Sequence, residues 1–311
     1  MSTAPKLRGS SRSLCARTFL ASLCGLLAVA VLPVLADDDK SGHGEWVNAC
    51  ADWDEWDKPG PPFRIHGNSW YVGTCGIAAI LITGDAGHIL IDGGTAAGAD
   101  LIAANIGALG FRIEDVGILL MSHEHFDHVG GLAELQRRSG AKLIAAPEAA
   151  PVMASGKAAE NDPQFGMHDP FPAVRVDEVL GDSQTVRLGT LELRAVATPG
   201  HTPGALSWHW RSCDDGGCAS IVYADSLSPI SRENYRFSDH PEYVAAFRAG
   251  LNRLSELDCT ILLTPHPSAS ARRDRLASDA GLVDTGACRS YAASVSERLD
   301  ARLAEESTGG G

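Results

Sequence analysis

The sequence predicts an α/β protein, and three observations carry that prediction. Short apolar runs bounded by turn formers alternate with helical patterns along most of the chain. Three of these runs end in a tight loop carrying histidine: 116–122 before His123, 191–197 before His201, and 260–264 before His266. Open sheets covered by helices gather ligands beyond the carboxyl ends of their strands, and all three histidine loops fall there. The length left after an N-terminal export signal suits one large domain with a substantial core.

Residues 1–36 read as that signal. Lys6, Arg8, Arg12 and Arg17 make a basic stretch without acids, 19–35 is apolar, and Val34-Leu35-Ala36 is a small-x-small cleavage site. The apolar run is short for a membrane span and contains Pro33. Cys24 follows Ser22-Leu23, a poor context for lipid attachment. The expectation is cleavage after Ala36 and a periplasmic domain over 37–311, with no membrane attachment left. Removing 36 of 311 residues leaves 275; removing four of 26 bases against 39 acids leaves a net charge of −17. That acidity serves solubility and argues against nucleic acid and anionic membranes as partners. Nothing in the sequence suggests an obligate interface, so a monomer is expected.

The segment 37–43 is polar and acidic and reads as a flexible mature N-terminus. The fold begins at 63–72, followed by strands over 77–82 and 88–92 joined by the Gly84-Asp85-Ala86-Gly87 turn. Asp92-Gly93-Gly94 turns into a helix over 97–109, with Asp92 read as a cap or turn residue; no phosphate-loop fingerprint follows it. A helix over 131–139 and a strand over 142–146 come next. The region 147–172 reads as an irregular loop of the kind that borders binding sites. Residues 241–257 carry Tyr243, Ala246, Phe247, Leu251 and Leu254 at helical spacing, and a last helix covers 288–304. Among the histidines, His43, His66, His88, His168, His209 and His240 lack the strand-end placement and read as structural or surface residues.

The chemistry concentrates in His123-Glu124-His125-Phe126-Asp127-His128. On an extended segment residues two apart point the same way, so His123, His125 and Asp127 converge while His128 swings in as the chain turns at Gly130-Gly131. Four ligand-type side chains in six residues form a metal-site pattern, and a mixed imidazole/carboxylate set suits a catalytic zinc rather than a closed structural one. His201, inside Thr198-Pro199-Gly200-His201-Thr202-Pro203-Gly204, and His266, inside Pro265-His266-Pro267-Ser268, join this set by shared placement. Six cysteines remain after the signal: Cys50, Cys75, Cys213, Cys218, Cys259 and Cys288. An even number in an oxidising compartment predicts disulfides, and no C-x-x-C points to a thiolate zinc site. Cys213 and Cys218 are spaced to close a small hairpin loop, but sequence spacing leaves the overall connectivity open.

H-x-H-x-D-H, G-H-T-P-G and a final strand-end histidine resemble the metallo-β-lactamase superfamily. Tyr223-Ala224-Asp225-Ser226-Leu227-Ser228, with serine where other zinc β-lactamases carry a cysteine ligand, and Thr264-Pro265-His266-Pro267-Ser268 narrow the resemblance to class B, subclass 3, particularly the AIM-type carbapenemases. It runs from about Asn68 to about Leu303. The resemblance implies an αββα sandwich, two mixed sheets face to face with helices outside. It implies two zinc ions, one held by His123, His125 and His201, the other by Asp127, His128 and His266. It implies hydrolysis of the β-lactam ring amide of penicillins, cephalosporins and carbapenems by a metal-bound hydroxide, with Asp127 orienting that nucleophile. Ser226, Ser228 and Gln164 fall where the family contacts its substrate. The pairs Cys213–Cys218 and Cys259–Cys288 follow from the resemblance, and Cys50–Cys75 by remainder. Two other readings stand beside this one. A lactonase or glyoxalase-type thioesterase would use the same centre, with an acid in the Asp225 region bridging the metals. A periplasmic zinc-binding protein would close its coordination shell rather than leave positions open.

Overall fold

The computed structural model describes residues 41–51 and 53–308, so the expected signal, its cleavage site and 37–40 lie outside the described residues. The expectation of a flexible start is corrected for His43, which sits in helix α1 (Ser41–Ala49). The cause is one aromatic anchor in a polar stretch. Trp46 is fully buried, with its ring edge-on to Phe63 and Tyr71 at centroid distances of 6.2 and 5.9 Å.

The first sheet has seven strands in chain order: β1 (Phe63–His66), β2 (Ser69–Tyr71), β3 (Ile80–Ile82), β4 (His88–Ile91), β5 (Val116–Leu120), β6 (Lys142–Ala145) and β7 (Glu178–Val179). The run 63–72 is thus a hairpin rather than one strand, turning at Gly67 with φ +54°. Strands β1 to β4 are antiparallel neighbours, whereas β4 to β7 are parallel and need crossovers. Helix α2 (Gly98–Ala108) supplies the first crossover, between β4 and β5; α3 (Phe126–Val129) and α4 (Leu132–Ser139) lie in the second, between β5 and β6. The region expected to be irregular contains a short helix, α5 (Ala150–Ser155), opened by Pro151 in its first turn.

The second sheet is ordered β12-β11-β10-β9-β8. Here β8 (Thr185–Leu188), β9 (Leu191–Ala197), β10 (Leu206–Asp214) and β11 (Gly217–Tyr223) are antiparallel, and β12 (Ile261–Leu263) runs parallel to β11. Helices α6 (Pro241–Ser255), α7 (Arg272–Ala277) and α8 (Ala287–Ser307) complete the chain.

Strand alternation builds the layers. Ile221 and Tyr223 of β11 join a core shared with Ile80, Leu119 and Trp208, between the two sheets. Val222 and Ala224, pointing the other way, pack with Phe247, Leu251 and Leu254 of α6 and Val295 and Leu299 of α8. Each such large side chain taken from water is worth about 1.5–3 kcal/mol. Two mixed sheets flanked by helices make the αββα sandwich. The disulfides are Cys50–Cys75, Cys213–Cys218 and Cys259–Cys288. Cys213 and Cys218 face each other across the β10–β11 hairpin, and Cys259–Cys288 ties the approach to β12 to the start of α8.

Candidate metal centre

Strand β5 delivers the first histidines. Beyond Leu120 the chain bends at Ser122 and Glu124, is extended at His125 (φ −87°, ψ 148°) and then enters α3. His123 and His125 fall on one side, with ring centroids 5.0 Å apart. Asp127 and His128 are presented by the first turn of the helix, not by continued extension, and this divides the motif in two. Gly131 lets the loop after Asp92 come close: a Cβ there would lie 2.2 Å from the Gly93 carbonyl oxygen. That approach lets the Gly93 N–H donate to the His128 carbonyl at 2.7 Å.

Two clusters result. One ligand atom each from His123, His125 and His201 falls within a 4.8 Å span, and so does one each from His123, Asp127 and His128. The rings of His123, His125 and His201 have centroids 4.8–5.0 Å apart. His266 completes the second cluster: Asp127 Oδ2 lies 3.0 Å from His128 Nε2 and 3.4 Å from His266 Nε2, and the two nitrogens are 3.3 Å apart. Cys50, Asp54 and Cys75 also lie together, but both sulfurs are spent in a disulfide.

The charge states fit a cation. Burial and the surrounding imidazoles hold His123 and His201 well below the usual histidine range, so both rings are neutral with a lone pair to give. Burial opposes charge on Asp127, yet His128 and His266 outweigh it and hold the carboxyl well below 3.8. His123 Nε2 is buried without a hydrogen-bond partner, an arrangement costly in a protein unless something else meets that lone pair. Neutral imidazoles, one ionised carboxylate and an orphaned inward nitrogen suit zinc.

Behind the rings stand residues that approach their other nitrogens, within hydrogen-bond distance for three of the four rings. Asp225 Oδ1 lies 2.8 Å from His123 Nδ1, and Asp162 Oδ2 lies 3.0 Å from His125 Nε2. The Ser228 carbonyl lies 3.0 Å from His201 Nδ1, and Asp92 Oδ2 lies 3.8 Å from His128 Nδ1. Asp92, expected as a turn residue, is thus placed behind the second cluster. It accepts from the Ser122 amide (2.6 Å) and hydroxyl (2.8 Å) and from the Tyr223 hydroxyl (2.7 Å) at a left-handed φ of +67°. The other oxygen of Asp225 accepts the Leu227 N–H at 3.2 Å, and burial pushes its carboxyl up to about 7. Asp225 therefore backs His123 instead of lying between the two clusters. Glu124 links two motifs, accepting from the Thr202 hydroxyl at 2.7 Å and the Gly204 N–H at 2.8 Å.

The expected substrate contacts are placed unequally. Gln164 is buried, its amide nitrogen 3.4 Å from both ring nitrogens of His201 and its oxygen 3.2 Å from His168 Nε2. The Ser226 hydroxyl is fully buried without a partner, whereas Ser228 is half-buried. Trp56, not singled out in the sequence, stands at the mouth with its ring 5.5 Å from Phe126 and 6.0 Å from His266. Its only sequence signal is a second tryptophan, after Trp53, in a polar stretch.

An αββα sandwich with two adjoining imidazole/carboxylate clusters beyond its strand ends defines a metal-binding class of fold. The chain belongs to the metallo-beta-lactamase superfamily, whose model matches residues 72–252. Among solved structures, it is 59% identical to the MIM-2 metallo-beta-lactamase, with a TM-score of 0.83 over 86% of this chain and 98% of that one. It is 41% identical to MEM-A1, a subclass B3 metallo-beta-lactamase isolated from a soil metagenome library, with a TM-score of 0.78 over 82% of this chain and 100% of that one. A hydroxyacylglutathione hydrolase of Acidiphilium cryptum is 31% identical over 54% of this chain. The chain spans only 57% of that hydrolase's length, and about half or less of the other curated relatives it matches.

Proposed function

We propose that this chain is a dizinc β-lactamase that hydrolyses the β-lactam ring amide of penicillins, cephalosporins and carbapenems. The observation that carries the reading is the pair of adjoining clusters, with His123 and His201 held neutral beside an ionised Asp127, in a chain 59% identical to MIM-2 over nearly all of that enzyme. His123, His125 and His201 would hold one ion; Asp127, His128 and His266 the other. Bound zinc supplies an acidified water and a positive pole for charge that develops on the opening amide. Asp127, ionised beside His128 and His266, would orient the attacking water by accepting its hydrogen bond. Gln164 offers its amide from one side of the groove. Ser228 would offer its hydroxyl to the substrate carboxylate from the other side, with the buried Ser226 hydroxyl behind it reachable only through water. The proposal includes export with cleavage after Ala36, a periplasmic monomer over 37–311, and no nucleic-acid or membrane partner. Within the described residues, no helix is long and apolar enough to cross a membrane.

The curated relatives favour one other reading, a hydroxyacylglutathione-type thioesterase. The placement of Asp225 behind His123 weighs against it, because a bridging acid would have to face both clusters. Hydrolysis of nitrocefin and imipenem, with and without a chelator, separates the readings. The expected result is turnover of both that the chelator abolishes and zinc restores. Zinc-loaded protein that cleaves thioesters and leaves β-lactams whole would retire the proposal.

A further inference from the structure

The segment 160–168 touches the centre from two sides. Asp162 and Gln164 are buried, whereas Phe165 and Met167 are exposed. Asp162 puts Oδ2 3.0 Å from His125 Nε2, while its Oδ1 accepts the Gln164 N–H at 2.7 Å. Gln164 then stands against His201. One short stretch thus touches two rings of the first cluster, His125 through Asp162 and His201 through Gln164. The stretch has no regular structure of its own: among the described residues, no helix or strand lies between α5, ending at Ser155, and β7, beginning at Glu178.

What secures it is Arg232, far along the chain between β11 and α6. Its main-chain N–H donates to the Pro163 carbonyl at 2.9 Å. Its Nη1 donates to the Asp162 carbonyl at 3.2 Å and reaches the Phe165 carbonyl at 3.5 Å. The guanidinium carbon lies 5.4 Å from the Phe165 ring centre and 5.7 Å from that of Tyr235. Arg302 of α8 braces the neighbouring turn, donating to the Ser231 hydroxyl at 3.0 Å and the Tyr235 carbonyl at 3.3 Å. A planar guanidinium set between two rings, with Nη1 aimed at the Asp162 and Phe165 carbonyls, packs in a way that a lysine cannot copy.

We propose that Arg232 is a positioning residue that latches 160–168 onto the centre, so that Asp162 holds His125 and Gln164 faces the groove. The metal-holding part rests on the clusters; the substrate part rests on the β-lactamase reading. The test uses Arg232→Ala and Arg232→Lys in the mature chain, each checked for a parent-like melting curve. In Arg232→Ala the amides of Gln164 and Phe165, both bonded within the segment, lose hydrogen-exchange protection. Zinc affinity of the first cluster, read by competition with a chromophoric chelator, falls about tenfold, the scale for disturbing a group behind a ligand. KM for imipenem rises about tenfold, the worth of one hydrogen bond, while kcat changes less than about twofold. Arg232→Lys falls between, and decides the matter if the alanine variant does not fold. Exchange and zinc affinity identical to the parent in the variants would overturn the proposal, as would a loss confined to kcat. If the parent cleaves no β-lactam, the functional reading fails, yet exchange and zinc affinity still decide the latch.

Discussion

Replacing Glu124 by alanine tests whether the two ligand loops are held together by one buried carboxylate. Glu124 receives the Thr202 hydroxyl and the Gly204 N–H, one on each oxygen, and these donors directly follow His201. Both Thr202 and Gly204 are buried, so truncation strands two donors away from water. Each costs about 1–3 kcal/mol, or about 2–6 kcal/mol together. Burial already pushes the Glu124 carboxyl above its usual 4.5, so removing the charge returns part of a desolvation cost. A net loss of about 3 kcal/mol follows, which for a domain of this size lowers Tm by about 5 °C. The assay is thermal unfolding of chelator-stripped parent and variant, because bound metal would mask the difference by stabilising the folded state. In parallel, zinc titration should show the first cluster weakened, through His201, and the second retained. Glu124→Gln keeps one acceptor oxygen but turns an NH2 toward the other donor, so its Tm falls between. An alanine variant that melts within about 1 °C of the parent and binds zinc equally well would refute the reasoning.

Asp127→Ala should lower turnover by about 10²-fold or more and empty the second cluster, with an unchanged circular dichroism spectrum; parent-like rates would contradict its role. Glu306 accepts the N–H groups of Phe237 (3.0 Å) and Ser238 (2.8 Å) and the Arg302 guanidinium (2.8 Å). Burial alone would raise its pKa, but these donors win and the net shift is downward from 4.5. A depressed acid contributes stability that is full above its unfolded value and lost as pH falls through the folded one. Glu306→Gln should therefore cost about 1–2 kcal/mol in denaturant unfolding at pH 7, a gap that closes progressively below pH 4.5. Among the disulfides, replacing Cys259 and Cys288 together, 29 residues apart, should cost about 3.5 kcal/mol. Replacing Cys213 and Cys218, 5 apart, should cost about 2 kcal/mol; equal losses in denaturant midpoints would argue against a chain-entropy origin.

What the sequence made legible was local. The histidine loops stand at strand ends because an apolar run followed by turn formers is written within ten residues or so of chain. Helices α2, α4, α6 and α8 lie within a few residues of the ranges their spacing predicts. The residues behind the rings were not legible in that way. Asp162 meets His125 across 37 positions, and Glu124 meets Gly204 across 80. In sequence each of these acids looks like an ordinary loop or turn residue. Trp46 was missed for a related reason: one aromatic in a polar segment carries no period, though its burial fixes α1.

The partners behind the rings explain why the centre can be ready before any ion arrives. An imidazole ligand is oriented by whatever holds its second nitrogen, and those partners tune its basicity as well. Here His123, His125 and His201 are each met by an oxygen, from Asp225, Asp162 and Ser228 respectively. Asp92, held by Ser122 and Tyr223, stands 3.8 Å from the fourth ring, His128. These four oxygens come from three separate connections: after β4, after α5 and, at two points, after β11. Two of those connections carry non-glycine residues at positive φ, Asp92 at +67° and Leu227 at +50°. Such backbone persists only where surrounding contacts over-determine it. At Asp92 the contacts are visible, three donors on one carboxylate; at Leu227 the N–H is fixed by Asp225 and the preceding carbonyl by the Tyr291 hydroxyl at 2.6 Å. Tyr291 in turn rides on α8, one turn past the disulfide at Cys288. Orientation of a ring at the mouth of one sheet is thus traced to a covalent tie on the outer face of the other, which is why distant support, and not only the six ligand-type residues, should govern how tightly this centre holds its metals.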